Sequence, residues 1–241
     1  MKRIHFEVDE TAVTIISEEE FLQVAKDAIF DAREIILTKI QEDLYFNTSF
    51  EPIAIDNDDD DLIKRMCNAS ILANVGPMAG VAGAIAVYAV EKMCIVGSKY
   101  AIVDNGGDIA LSVDKEVTVG LFANDPKFGD LALKIPKTNG ITGICSSSGI
   151  VGPSVSFGNS GICTVFSDDV ILADACATAL GNLVVRGESE EMSSALESIG
   201  NITGVNGCMT YCNGLFAMYG DVPELVKSNI KLSDITKIDF N

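Results

Sequence analysis

Two oxygen-bearing side chains, Asp174 and Thr178, sit one helical turn apart inside a long apolar stretch, Val170 to Val185. The only ionisable residues there are Asp174 and Cys176. Its length and Ala/Leu content predict a helix. Apolar residues occur on every side, so the helix should be buried. Spacing by four puts the carboxylate and the hydroxyl on one face. With a backbone carbonyl nearby, these are the donors that a hard divalent cation such as Mg²⁺ takes. A lone carboxylate in such surroundings is costly unless a cation or several donors meet it. The structural alternative is that Asp174 caps a neighbouring loop and Thr178 bonds back to its own helix.

Two further segments could hold an anion. Asp104-Asn105-Gly106-Gly107-Asp108 follows a strand-like run; it reads as a hairpin turn or as a nest of amides. Cys145-Ser146-Ser147-Ser148-Gly149 lies in a charge-free segment, Thr138 to Ser167, rich in Gly and Ser. Its amides and hydroxyls suit a phosphate group, and equally a pair of polar strands joined by turns.

Other chemistries fare worse. The only histidine is His5, which argues against a Ser-His-Asp or Cys-His site and against zinc. Cys208 and Cys212 lack the tight spacer and second pair of a metal or redox motif. The run Asp56 to Asp61 lacks the glycine of a calcium loop and reads as a solvated loop feeding a helix. The net charge of −18 and the absence of a basic cluster argue against nucleic acid and anionic membrane as partners. Seven cysteines in mostly apolar surroundings, behind an N-terminus without an apolar leader, suggest reduced thiols in a cytoplasmic protein.

The elements that must position these residues follow from pattern. Residues 2–17 alternate as a strand or hairpin. Ser17 and Glu18 to Glu20 read as the cap and first turn of a helix running to about Gln41. Residues 44–55 look extended. Met66 to Val90 carries no charge and is long enough for a membrane span, but its glycines, asparagines and Pro77 favour two helices broken at Asn74 to Pro77. Gly80 and Gly83, one turn apart, would let a ligand or another backbone approach. Strands are expected at Tyr100–Val103, Ile109–Val113, Val117–Ala123, Leu131–Ile135 and Gly161–Phe166, with Ser167 to Asp169 capping the buried helix. A surface helix over 189–199, a hairpin over 201–219 and a tail complete an α+β chain, residues 1–241, without a linker.

Three of these stretches in order resemble one superfamily. Asp104-Asn105-Gly106-Gly107-Asp108-Ile109 resembles its strand-end GG(D/N)I turn, Cys145 to Gly149 its T-S-G segment, and Ala173-Asp174-Ala175-Cys176-Ala177-Thr178-Ala179 its A-D-A-x-A-T-A helix. This is the pattern of ApbE-like proteins, the Mg²⁺-dependent flavin transferases that move FMN from FAD to a protein threonine. Within that superfamily, Asn74 to Gly83 and Ser154-Val155-Ser156-Phe157-Gly158 are similar to signatures of the UPF0280 group.

The resemblance implies antiparallel sheets flanked by helices. It implies Asp174 and Thr178 as Mg²⁺ ligands, joined by a backbone carbonyl near Gly76 to Gly80. It also implies a pocket for FAD or another phosphate-bearing small ligand, lined by Gly80, Asn105, Gly106, Gly107, Asp108, Ser147, Ser148 and Gly149. Two departures bear on the reaction. The lysine that flavin transferases carry at the helix opening is absent from Met78-Ala79-Gly80-Val81, and Pro153 stands where the UPF0280 signature has histidine. That leaves an acid, Asp108, as the candidate catalytic base. A relative acting in sulfide assimilation toward homocysteine, a non-catalytic ligand-binding module and a homo-oligomer are the other expectations.

Overall fold

The computed structural model describes residues 1–9, 11–123, 125, 128, 131–148 and 161–227. Strands β1 (Lys2–Val8) and β2 (Thr11–Ser17) form the expected hairpin, turning at Asp9 with φ 47°. Ser17 does not cap the next helix. Its hydroxyl donates to the Tyr100 carbonyl at 2.7 Å, and the chain enters through a 3-10 turn, Glu19–Phe21, without a side-chain cap. Helix α1 (Leu22–Glu42) then buries Ala25, Ala28, Ile29, Ala32 and Ile36, a stripe at helical spacing.

The segment expected to be extended begins instead with one short helix, α2 (Leu44–Thr48). Asp43 accepts from the Tyr45 amide at 2.9 Å, and Phe46 is fully buried. A cap plus one buried aromatic is enough to fix a single turn against propensity. The acidic run behaves as expected. Asp60 caps α3 (Asp61–Ala73), and Asp59 meets Lys39 at 2.7 Å.

Asn74, in the left-handed region at φ 53°, ends α3, and Pro77 opens a 3-10 turn (Pro77–Gly80) that runs into α4 (Val81–Ile95). Pro77–Ile95 is long and apolar enough to cross a bilayer, but half of it is buried inside the protein. It packs on α1, on the strands behind it and on the helix of Asp174, as a core helix does.

Eight strands form one antiparallel sheet in the order β1-β2-β3-β4-β7-β8-β9-β10. Its later members are β3 (Tyr100–Asn105), β4 (Asp108–Val113), β7 (Thr142–Ser147), β8 (Ile162–Ser167), β9 (Val205–Cys212) and β10 (Leu215–Gly220). The expected strands β5 (Val117–Gly120) and β6 (Leu131–Ile135) leave that sheet. They join β11 (Glu224–Lys227), within the stretch expected to be a tail, in a second sheet ordered β11-β6-β5.

Strand alternation sorts the core into two layers. Val103, Ala110, Cys145 and Val165 face the helices, whereas Ile102, Ile109, Ile144 and Phe166 face the small sheet. Helix α5 (Val170–Leu183), capped by Asp169 on the Ile171 and Leu172 amides, is buried along nearly its whole length. Helix α6 (Ser189–Gly200) lays Met192, Ala195, Leu196 and Ile199 onto β9 and β10. Antiparallel sheets flanked by helices are thus the architecture, as the resemblance implies.

Candidate functional site

The site lies where the ends of β3, β4 and β7 meet the crossing of α4 and α5. Asn105 pairs with Asp108, and Asp108 with Cys145. These residues, and Ser147 two along from Cys145, therefore point to the helix side of the sheet. Opposite them, Gly80 and Gly83 let the α4 backbone press on α5. A methyl group at Gly83 would lie 2.9 Å from both the Asp174 Cβ and the Val170 carbonyl. One at Gly80 would lie 2.9 Å from the Ile171 side chain. Gly83 can therefore donate its amide to Asp174 Oδ2 at 2.7 Å, and the nearby Ala82 amide also favours the ionised carboxyl.

Across this contact Asp174 also hydrogen-bonds Asp108. Burial pushes the Asp174 carboxyl up to about 7, against the pull of the two amides and of Asp108. Asp108 is held well above the usual carboxylate range, first by burial and next by the charge of Asp174; the Ser146 amide, donating at 3.2 Å, opposes both. Two carboxyls in contact in a dry site share a proton. The Cys145 thiol, pushed up by burial and by both acids, donates to the Val170 carbonyl at 3.6 Å. Among the described residues, no basic side chain acts on either acid.

The remaining predicted residues surround this pair to differing degrees. Thr178, half-buried, follows Asp174 by one turn on the same face of α5. Asn105 donates its side-chain amide to the Ala82 carbonyl at 3.2 Å, tying the β3–β4 turn to α4. Gly106 and Gly107 turn the hairpin at φ 69° and 105°, conformations that favour glycine. The Gly107 amide is not open to an anion: it donates to Asp104 Oδ1 at 2.9 Å. Ser148 turns to the Gly161 carbonyl at 3.0 Å. Gly149, Pro153 and residues 154–158 lie outside the described residues.

Ser147 differs from all of these. It is 4% exposed, and its Oγ is the one buried side-chain polar atom without a hydrogen-bond partner among the described residues. An orphaned hydroxyl costs on the order of 1 kcal/mol or more, and it marks a place where something else supplies the partner. Ser147→Ala is expected to leave the ligand-free melting temperature unchanged or raised, because the unmet group is removed. A lowered melting temperature would show a hidden structural bond.

Asp104 and Cys145 open the two segments read as able to hold an anion, but were not themselves among the predicted site residues. Their signal is the strand register, which sets Cys145 beside Asp108, and the turn, which brings Asp104 to within reach of the Gly107 amide. Among the described residues no three His, Cys, Asp or Glu side chains converge as a metal cluster. A cation here would rest on hard oxygens, namely the carboxyl of Asp174, the Thr178 hydroxyl and backbone carbonyls, with Asp108 beside them. That donor set fits Mg²⁺ once the shared proton leaves.

A family model with the description "AbpE bacteria" matches residues 1–197. The UPF0280 protein of Methanocella arvoryzae is 42% identical over 238 residues, 99% of this chain and 96% of that one. The UPF0280 protein of Archaeoglobus fulgidus is 44% identical over 240 residues, 98% of this chain and 100% of that one. Two solved structures share the fold at low identity. A point variant of the flavin transferase ApbE from Vibrio cholerae matches with TM-score 0.57 at 15% identity, covering 91% of this chain and 97% of that one. The ApbE protein from Thermotoga maritima matches with TM-score 0.54 at 12% identity, covering 95% and 97%. With sequence likeness to UPF0280 proteins along nearly the whole chain, and the ApbE architecture around a buried pair of acids, the chain belongs to the UPF0280 family of ApbE-like proteins.

Proposed function

We propose that this protein binds a diphosphate-bearing nucleotide, FAD foremost, together with Mg²⁺, and that the site supports transfer of FMN to a protein hydroxyl. The observation that carries the reading is the Asp108–Asp174 contact, without a basic partner among the described residues. A phosphate alone is repelled by Asp104, Asp108 and Asp174, so it can enter only with a cation. Asp174, Thr178 and a carbonyl of the Gly76 to Gly80 turn would hold the ion. Ser147 Oγ and Asn105 would meet ligand oxygens. When bound, Mg²⁺ supplies charge neutralisation on the diphosphate.

Asp108, held well above the usual carboxylate range by burial and by the charge of Asp174, would serve as the base. It would take the proton from the acceptor hydroxyl as the acceptor oxygen bonds to the flavin-side phosphorus. The bond from that phosphorus to the AMP oxygen then breaks, and AMP leaves. A thermal shift with FAD and Mg²⁺, followed by mass spectrometry for AMP and an FMN-modified acceptor peptide, tests both parts. No shift with FAD, with ADP or with Mg²⁺ sinks the reading. A second reading, ligand binding without transfer, is favoured by Met78-Ala79-Gly80-Val81, which lacks the lysine of the transferase pattern. A shift without AMP selects it.

The site also sets the pH dependence. The folded Asp174 carboxyl, at about 7, lies above the ordinary 3.8 of an aspartate, so the native state binds the proton more tightly than the unfolded chain. The pair's contribution to stability is therefore largest at low pH, and it falls as pH rises from 3.8 through about 7. Metal binding has the opposite sign, because the ion displaces that proton. Mg²⁺ affinity is expected to rise by up to about tenfold per pH unit below neutrality, with proton release in calorimetry. Affinity that stays flat as pH rises to and through about 7 would show that the pair carries no displaceable proton.

A further inference from the structure

The orphaned Ser147 hydroxyl stands in a row of polar groups that crosses the sheet on its helix side. Ser147 pairs with Cys163, and Cys163 with Thr210. The Cys163 thiol and the Thr210 hydroxyl lie 3.2 Å apart, and Thr210 donates onward to the Ile162 carbonyl at 3.2 Å. Those two groups serve each other and leave Ser147 out.

In the other direction the row meets the β3–β4 turn. Asp108 pairs with Cys145, so the same register carried one step along β7 brings Ser147 opposite Gly106. The turn leaves room there. A methyl group at Gly106 would meet nothing within 4 Å, and one at Gly107 only the Ser146 carbonyl oxygen at 3.9 Å. On the far side of the turn stands Asn105, also buried. Its amide is spent on the Ala82 carbonyl, and its Oδ1 accepts no hydrogen bond among the described residues.

These two side chains ask for different things of a ligand. Ser147 Oγ can donate or accept, whereas Asn105 Oδ1 only accepts. A phosphate oxygen only accepts at neutral pH, so it suits Ser147 but is repelled by Asn105 Oδ1 and by the neighbouring acids. A ligand hydroxyl donates and accepts, and it brings no charge into a buried row. Strands β3 and β7 are two places apart in the sheet, roughly 10 Å, so one small group cannot bond both side chains. A chain bearing several hydroxyls can.

Resting on the nucleotide–Mg²⁺ reading, we infer that Ser147 recognises a hydroxyl of the ligand's polyol arm and that Asn105 Oδ1 takes a second one, the phosphates staying with the cation. FAD has two such arms beside its diphosphate, the ribityl chain on the flavin side and the ribose on the adenine side.

Calorimetric titration of the full chain in excess Mg²⁺ with FAD, ADP and inorganic pyrophosphate tests this. Wild type is expected to bind pyrophosphate, which has no hydroxyl arm, at least tenfold more weakly than FAD. Ser147→Ala is expected to weaken FAD roughly tenfold, the loss of one hydrogen bond, and to leave pyrophosphate unchanged. A loss for FAD alone assigns the ribityl chain, and an equal loss for ADP assigns the ribose. Asn105→Ala is expected to follow the same ligand pattern; the Ser147 titrations decide the matter if cutting its tie to Ala82 unfolds the protein. Equal losses for FAD and pyrophosphate overturn the inference, because Ser147 then meets a phosphate. So does an unchanged FAD affinity in Ser147→Ala, which leaves the hydroxyl to a buried water. Wild type that binds none of the three sinks the nucleotide reading itself, and the inference with it.

Discussion

Asp174→Asn is expected to abolish the Mg²⁺-dependent stabilisation by FAD while leaving the ligand-free protein at least as stable as wild type at pH 7. The two outcomes have one cause. Asparagine keeps a carbonyl oxygen for the Gly83 amide, which now approaches at 2.7 Å, and adds an amide that can donate to Asp108. It also removes the carboxyl whose ionisation burial resists. The fold therefore loses a liability and keeps its bonds. The ligand loses its charged anchor. Losing a buried charge partner costs about 3 kcal/mol or more, so affinity should fall at least a hundredfold. Melting curves with and without FAD and Mg²⁺ read both effects. A variant that still shifts like wild type would remove Asp174 from the site. A variant that melts well below wild type would make the carboxyl a structural bond.

Gly76→Ala should be the most damaging single methyl in the chain's glycine-rich middle. The added Cβ would lie 1.8 Å from the Ser49 carbonyl oxygen, 2.8 Å from its carbon and 3.1 Å from Phe50 Cα. All three are backbone atoms, so no rotamer change relieves the clash. The cost is roughly 3 kcal/mol, at the upper end for overpacking, and lowers the melting temperature by about 6–12 °C in a chain of this size. Gly83→Ala should cost less, with backbone and Asp174 Cβ contacts at 2.9 Å. Gly80→Ala should cost least, since its one contact under 3 Å is the Ile171 Cγ2 methyl at 2.9 Å and the nearest backbone atom, the Ile171 carbonyl oxygen, is at 3.2 Å. Thermal or urea unfolding of the three variants checks the ranking. If Gly80→Ala proved the worst, the α2 to α4 connection would be looser than its geometry.

Wherever one rule dominates, the sequence predicts the fold. Alternation gives the N-terminal hairpin, Pro77 gives the helix start, and Asp169 gives the cap of α5, because each is a local constraint. Non-local decisions are not legible. Val117–Gly120 and Leu131–Ile135 read as strands, but nothing in them says that they leave the large sheet to meet Glu224–Lys227. Leu44–Thr48 reads as extended until Phe46 finds the core. Ser17 has the composition of a cap, yet the Tyr100 carbonyl claims its hydroxyl from a strand far along the chain. The same limit governs the site. Asp174 stands out because its neighbours are greasy; that Asp108 touches it depends on the crossing at Gly83 and on the register of β4, which no spacing encodes.

The buried thiols give the protein a built-in reporter of opening. All seven cysteines are unbridged, and only Cys94 is even partly accessible. Burial pushes Cys176 and Cys208 up to about 12, which further suppresses the nucleophilic form. An alkylating reagent should thus mark one sulfur promptly and the other six only during excursions that expose the interior. Counting labels by intact mass over time would time those excursions, and ligands that grip the α4–α5 crossing should lengthen the intervals between them.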